Sequence, residues 1–203
     1  MASSSVAFGA AATFGTINDA NFSNVTVADA GGTLIANGAG YAAIGGFSID
    51  DAAIASANAG ALAAAFTEYA STTFGGVNAG NAEGIALANA NAIIPDSLND
   101  ASVYHVFGNG SSLADSTEWA VVKSGDVFFD DDPGSPVPAP FKSQISGIDA
   151  SNVIAGSLIP GIDSATLVGL GAPGANNTVQ LVPEASTVLL SLLGLGLIFR
   201  RRR

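Results

Sequence analysis

The C-terminal end of the chain is the feature that most constrains its fold. Residues 187–199 are rich in Leu, contain no charged side chain, and are followed directly by Arg200, Arg201, Arg202 and Arg203. A helix on a protein surface shows one apolar stripe, whereas a helix here would be apolar on all sides. We therefore predict a separate C-terminal membrane helix. The alternative is a buried core helix with a solvated basic end.

The length of the apolar segment is compatible with a membrane crossing. A transmembrane helix takes about 20 apolar residues, and a helix from Pro183 to Phe199 would span roughly 25 Å. Arginine side chains can snorkel and the bilayer can thin, so this length suffices. The positive-inside rule keeps the four arginines in the cytoplasm and the rest of the chain outside. The predicted membrane-contacting residues are Leu189, Leu190, Leu192, Leu193, Leu195, Leu197, Ile198 and Phe199.

The charge of the remaining chain restricts its partners. Only 11% of the residues are charged, and the formal net charge is −11. All 17 acidic residues precede residue 200, where Lys123 and Lys142 are the only basic residues, so residues 1–199 carry a net charge of −15. Such a body repels nucleic acids, and we exclude nucleic-acid binding. The absence of Cys excludes disulfides and thiolate metal sites.

Short apolar or alternating segments, separated by Gly and Asn, predict strands over much of the body. The clearest are Val25–Ala28, Tyr41–Phe47, 103–107 and 118–123, and Gly45 with Gly46 indicates a bulge or a tight bend in the second of these. These signals predict an α+β fold with a mostly antiparallel β domain. The predicted parts are a lead-in at 1–12, the exported domain at 13–175, a linker with the sorting motif at 176–186, and the membrane helix with its arginines at 187–203.

Residues 48–70 are predicted to form the helical region of this domain. Ser48 and Asp51 have the spacing of a capping box. Ile54, Leu62, Phe66 and Tyr69 then lie on one helical stripe. We expect the helical region to pack on the sheet through Ile54, Leu62 and Phe66. Residues 130–140 are rich in Asp and Pro and are predicted to be an exposed loop.

The sequence offers two candidate chemical sites. A carboxylate site for Ca²⁺ would use Asp126, Asp130, Asp131 and Asp132, but the EF-hand spacing is absent and a solvated acidic loop is the expectation. His105 is the only His and would have to serve any Ser–His–acid triad. It lies in an apolar strand, so we expect a strand residue with one satisfied ring nitrogen. No cofactor is expected.

The residues before the apolar segment carry a resemblance to a known family. Val182, Pro183, Glu184, Ala185 and Ser186, then the apolar segment and the arginines, resemble the PEP-CTERM sorting signal. In that family a Pro-Glu-Pro motif is recognised by exosortase, a membrane transpeptidase-like enzyme. The third motif position here is Ala185, a variant that occurs in the family. The resemblance implies export to the envelope or extracellular matrix of a Gram-negative bacterium that makes exopolysaccharide.

The sequence therefore predicts a cell-surface or matrix protein that is membrane-anchored and is not an enzyme. No signal peptide is evident, because the first twelve residues contain no Lys or Arg and only a short apolar run. The alternative function is an envelope polysaccharide-binding module, which would need an aromatic platform built from Trp119 and the three Tyr. An envelope hydrolase is the third hypothesis and would need a convergent pocket with two carboxylates or with a base near a nucleophile.

Overall fold

The fold is built mainly of strands. The computed structural model describes residues 10–16, 24–76, 79, 81–92, 94–128 and 141–184. Its strands are β1 (Ala10–Gly15), β2 (Val25–Ala28), β3 (Tyr41–Phe47), β4 (Phe66–Thr72), β5 (Leu87–Ala92), β6 (Ser102–Gly108), β7 (Glu118–Val127), β8 (Phe141–Gln144), β9 (Val153–Ala155), β10 (Ser157–Pro160), β11 (Asn177–Gln180) and β12 (Val182–Pro183). The α-helices are α1 (Asp51–Ser56), α2 (Ala59–Ala65) and α3 (Ala165–Gly169). The predicted mostly antiparallel β fold with few helices is confirmed.

The central sheet is antiparallel throughout and has the order β12-β7-β6-β3-β4, with β9 also pairing with β7. The pairing of β3 with β4 is irregular at the predicted position, since Ile44 lies opposite Ala70 and Gly45 opposite Glu68. The extra residue, Tyr69, belongs to β4 and not to β3, where the glycines had placed it. A Cβ atom at Gly45 would lie 2.1 Å from the Thr67 carbonyl oxygen, so only glycine allows this approach.

Strand β6 is covered on both faces, which explains its unbroken apolar run. Tyr104 and Val106 pack in the cluster beneath α1 and α2. Val103 and Phe107 face the opposite side, where two smaller sheets pack. Those sheets have the orders β5-β1-β8 and β10-β11-β2, and each contains one parallel pair. The molecule therefore has a helical layer, a central sheet, and a third layer of two three-stranded sheets.

The helical layer is shorter than predicted. Asp50 caps α1 by accepting from the Ala53 N–H at 2.8 Å, and Asn58 caps α2 by accepting from the Ala61 N–H at 2.8 Å. Ile54 and Leu62 are fully buried against the sheet, as predicted.

The prediction of a helix through residue 70 is wrong. Phe66 begins β4, which pairs with β3. Phe66 packs partly buried in the cluster beneath the helices, whereas Tyr69 packs in the cluster on the other face of the sheet. One helical stripe would place both rings on the same side. Aromatic and β-branched residues favour the strand here, and pairing with β3 decides it.

The boundaries of the domain also differ from those predicted. Strand β1 begins at Ala10, within the predicted lead-in. At the other end, the predicted linker contains β11, which lies between β10 and β2. Val179 and Leu181 belong to the core, with 0% and 1% of their surface exposed. Polar residues suggested a linker, but Thr178 is buried and hydrogen-bonded to Thr26 at 2.8 Å.

The predicted membrane helix and arginines lie outside the described residues, as does the loop at 130–140. Within the described part of the chain, no helix is long and apolar enough to cross a membrane.

Candidate functional site

The described structure ends inside the predicted sorting motif. We call residues 182–184 the exit segment. Val182 lies opposite Trp119 and Pro183 opposite Glu118 on β7. The Glu184 N–H donates to the Thr117 carbonyl oxygen at 2.8 Å. The first three residues of the motif are therefore paired with the edge of the central sheet.

Pro183 occupies a strand position that suits its missing N–H. In an antiparallel pair, hydrogen-bonded and non-hydrogen-bonded positions alternate. The bond from Glu184 to Thr117 makes that pair hydrogen-bonded, so Pro183 opposite Glu118 needs no donor toward β7. Its ring then removes one donor from the outer edge, which discourages further strand pairing. The prediction that Pro183 begins a helix is wrong, because pairing with β7 holds it extended.

The surface that receives the exit segment is held in place by side chains. The Asn109 amide oxygen accepts from the Thr117 N–H at 3.0 Å and the Glu118 N–H at 3.1 Å. The Glu118 carboxylate accepts from the Ala30 N–H at 2.9 Å, and the Gln180 amide donates to the Ala30 carbonyl at 3.0 Å. Ala30, a loop residue, thus joins the first residue of β7 to the last residue of β11, the strand before the exit segment.

Leu181 marks the point where the chain leaves the core. Its side chain is 1% exposed, and its N–H donates to the Ala28 carbonyl oxygen at 2.9 Å. Val182 is half-buried and Pro183 is exposed. Exposure therefore increases from Leu181 to Pro183, and Glu184 is again half-buried. Sequence reasoning identified the motif but missed Thr117, Glu118 and Asn109, since no local pattern signals a pairing between distant segments.

The remaining predicted residues of the sorting signal are not placed. Ala185, Ser186, the membrane-contacting residues and the four arginines lie outside the described residues.

The aromatic residues considered for a sugar platform are placed, and they are buried. Trp119, Tyr41, Tyr69 and Tyr104 expose 4%, 7%, 8% and 6% of their surface. The Tyr104 hydroxyl donates to the Asp51 carboxylate at 2.6 Å, and the Tyr41 hydroxyl donates to Glu68. No Trp or Tyr of this chain offers a ring face to a sugar in this structure.

His105 takes part in a buried polar bridge between two sheets. Ser143 on β8 lies between His105 on β6 and Asp126 on β7. Its Oγ is 2.8 Å from the His105 Nε2 and 2.7 Å from the Asp126 carboxylate. A carboxylate oxygen accepts, so Ser143 donates to Asp126 and His105 donates from Nε2. The expected strand residue with one satisfied nitrogen is confirmed, and Nδ1 is buried without a partner. Burial lowers the pKa of His105 to about 3.

The order of this bridge differs from that of a hydrolytic triad. The hydroxyl lies in the middle, and Ser143 is fully buried. A nucleophile must reach a substrate, and here the hydroxyl instead fills the gap between sheets.

Asp126 is the only candidate calcium ligand within the described residues. It accepts from Ser143 and borders a cavity of about 230 Å³ lined also by Ser124, Gln144 and Asn152. Asp130, Asp131 and Asp132 fall outside the described residues. Among the described residues, no three His, Cys, Asp or Glu side chains are grouped closely enough to hold a metal ion.

A second polar cluster joins the helical layer to the central sheet. Lys123 on β7 forms an ion pair with Asp51 at the start of α1, with an N to O distance of 2.8 Å. Its Nζ also lies 5.5 Å from the centroid of the Tyr104 ring. The hydrogen bond from Lys123 lowers the pKa of Asp51, and the pKa of Lys123 is raised in turn. Both side chains are more than a third exposed, so the pair positions α1 and adds little stability.

Comparison of the chain with protein-family models, with characterised proteins and with solved structures finds no match.

Proposed function

We propose that this chain is an exported cell-surface or extracellular-matrix protein, sorted and anchored through residues 182–203. The observation that supports this function is the position of the motif. The packed sheet continues to Pro183, and the uncharged segment begins at residue 187. The domain and the tail therefore adjoin at the residues that a processing enzyme would read.

The charge distribution supports the orientation of this arrangement. The acidic body and the four terminal arginines have opposite charge and lie on either side of the apolar segment. Arginines stay on the cytoplasmic side, which places the folded domain outside. The proposed partners are the membrane and an exosortase-type enzyme. Nucleic acid is not a partner.

A structural role of the exported domain is favoured over the two alternatives. Sugar-binding modules stack sugars on exposed aromatic rings, and all Trp and Tyr side chains here are buried. A hydrolase that uses His105 as its base would need an accessible nucleophile, and the hydroxyl bonded to His105 belongs to fully buried Ser143.

The proposal is tested by one substitution and one deletion near the C-terminus. The chain is expressed behind a secretory signal peptide in a Gram-negative host that carries an exosortase. Glu184→Ala should remain folded, membrane-bound and unprocessed, since the motif carboxylate is removed. Deletion of residues 200–203 should instead allow misorientation or full translocation, because the stop-transfer charge is lost. Fractionation and intact mass report both outcomes.

A matched control is Asp96→Asn, which changes an exposed acidic residue in a short 3₁₀ turn. It should be sorted and processed like the parent chain. Parent chain recovered at full length from the soluble cytoplasmic fraction would contradict the proposal.

A further inference from the structure

The residues proposed for enzyme recognition are the same residues that pair with the sheet. Enzymes that cleave or transfer peptides bind the substrate as an extended strand through its backbone. The Glu184 N–H is already bonded to Thr117, and Val182 is paired with Trp119. An enzyme therefore cannot use these groups while the exit segment lies on β7.

The pairing of the exit segment is short enough to open without unfolding the domain. The strand pairing covers only two residue pairs, followed by the bond from the Glu184 N–H, and Pro183 between them is exposed. Edge segments with few buried contacts open at low free-energy cost. Opening meets a barrier at Leu181, which is 1% exposed and bonded to Ala28. Separation beyond Leu181 would expose core surface.

We propose that the exit segment is a gate: residues 182–184 separate from β7, with Leu181 as the fixed point, before an enzyme reads Pro183 and Glu184. This inference rests on the proposed sorting function. It also assigns the processing site to the C-terminal side of Leu181. Cleavage there leaves β11 and Leu181 in the core, so the released domain keeps its fold.

A protease that cuts after Glu provides the test without the host enzyme. The chain has Glu at positions 68, 83, 118 and 184. Glu68 and Glu118 lie within β4 and β7, and the Glu83 carboxylate accepts from Ser164 and Thr166. Full-length protein in detergent micelles should be cut once, after Glu184. When opening is fast, the rate of that cut follows the population of the open form.

Two variants of Val182 separate gating from a direct effect on the protease. Val182 occupies a hydrogen-bonded position, two residues before Glu184. Val182→Pro removes its donor, whereas Val182→Thr keeps the donor and the β-branch. Val182→Pro should be cut about two- to tenfold faster, and Val182→Thr should match the parent. Peptides spanning residues 178–190 with the same substitutions give the intrinsic cleavage rates for correction.

Equal corrected rates in the parent and both variants would overturn the gate. If Val182→Pro unfolds, cuts appear after Glu68 and Glu118, and amide exchange of the parent protein decides instead. Hydrogen exchange of the Glu184 amide that is slower in the protein than in the peptide supports the gate. Exchange that is equally fast in both overturns it.

The host experiment separates the two proposals. A processed product that ends before Leu181 would overturn the assigned processing site while leaving sorting intact. A parent chain that stays unprocessed in the host, while Val182→Pro is still cut faster than the parent in micelles, would overturn processing by the host enzyme. That result would leave the opening of the exit segment in place.

Discussion

At the scale of single residues, His105 is a buried titratable side chain whose charge state affects the stability of the fold. It is 1% exposed and donates to Ser143, which bridges to Asp126 on β7. A buried imidazole is stable only in its neutral form, because burial penalises the charge. The contact between the two sheets is therefore stable only while the His105 ring stays neutral.

This dependence predicts a loss of stability in mild acid. The folded pKa of His105 is lowered to about 3, whereas an unfolded His has a pKa of about 6.5. Below pH 6.5 the unfolded chain binds a proton that the folded chain excludes. The stabilisation is complete above pH 6.5 and is lost as the pH falls toward 3. Between pH 6.5 and 5 the free energy of unfolding should fall by about 2 kcal/mol.

Urea unfolding at pH 7.5, 6.5 and 5 measures the effect. The matched variant is His105→Gln, which keeps a side-chain donor and cannot titrate in this range. Its stability should change little across the same interval. An equal loss in parent and variant would assign the acid sensitivity to other groups.

At the scale of elements, capping and burial decide where the helices form. Each of α1 and α2 has fewer than eight residues and begins at a side-chain cap. Helices of this length are not stable alone, so packing must hold them. Ile54 and Leu62 supply that packing, with 0% of their surface exposed.

The contribution of α2 can be measured by truncating its buried side chain. Leu62→Ala should lower the free energy of unfolding by about 2–5 kcal/mol, because it opens a cavity in a filled core. The same change at Leu170, which is 70% exposed beside α3, should alter it by less than about 0.5 kcal/mol. Equal losses at the two positions would show that α2 is not packed as described.

At the scale of the whole molecule, the C-terminal strands close the structure. Strand β11 runs parallel to β2, so residues 25–28 near the start are bonded to residues 177–180 near the end. Val179 and Leu181 share a core cluster with Val25 and Val27. This part of the third layer therefore cannot form until β11, near the end of the described structure, is present to pair with β2.

Truncation distinguishes the domain from the tail. A chain ending at Glu184 should keep the cooperative unfolding of the full protein, because every described strand remains. A chain ending at Asn176 should lose it, since β11 and Leu181 are removed from the core. Circular dichroism during thermal unfolding measures both. Retained cooperativity in the shorter chain would contradict the role assigned to β11.

Local patterns predicted much of the β-structure. Residues 25–28, 41–47, 103–107 and 118–123 lie in strands as predicted, because apolar and β-branched residues favour the extended chain wherever it packs. The irregular pairing at Gly45 also followed from local sequence, although its extra residue lies in β4. The candidate site was likewise named from sequence, as a motif followed by an uncharged segment and arginines.

Only the tertiary structure decided how that motif is held. Nothing near Pro183 indicates that it lies beside Glu118, and Thr178 became a buried strand residue through its bond to Thr26. Phe66 lies in a strand and not in the predicted helix, because it pairs with β3. The physical reason is common to all three. Pairing and burial depend on a partner distant in sequence, and local propensity carries no information about that partner.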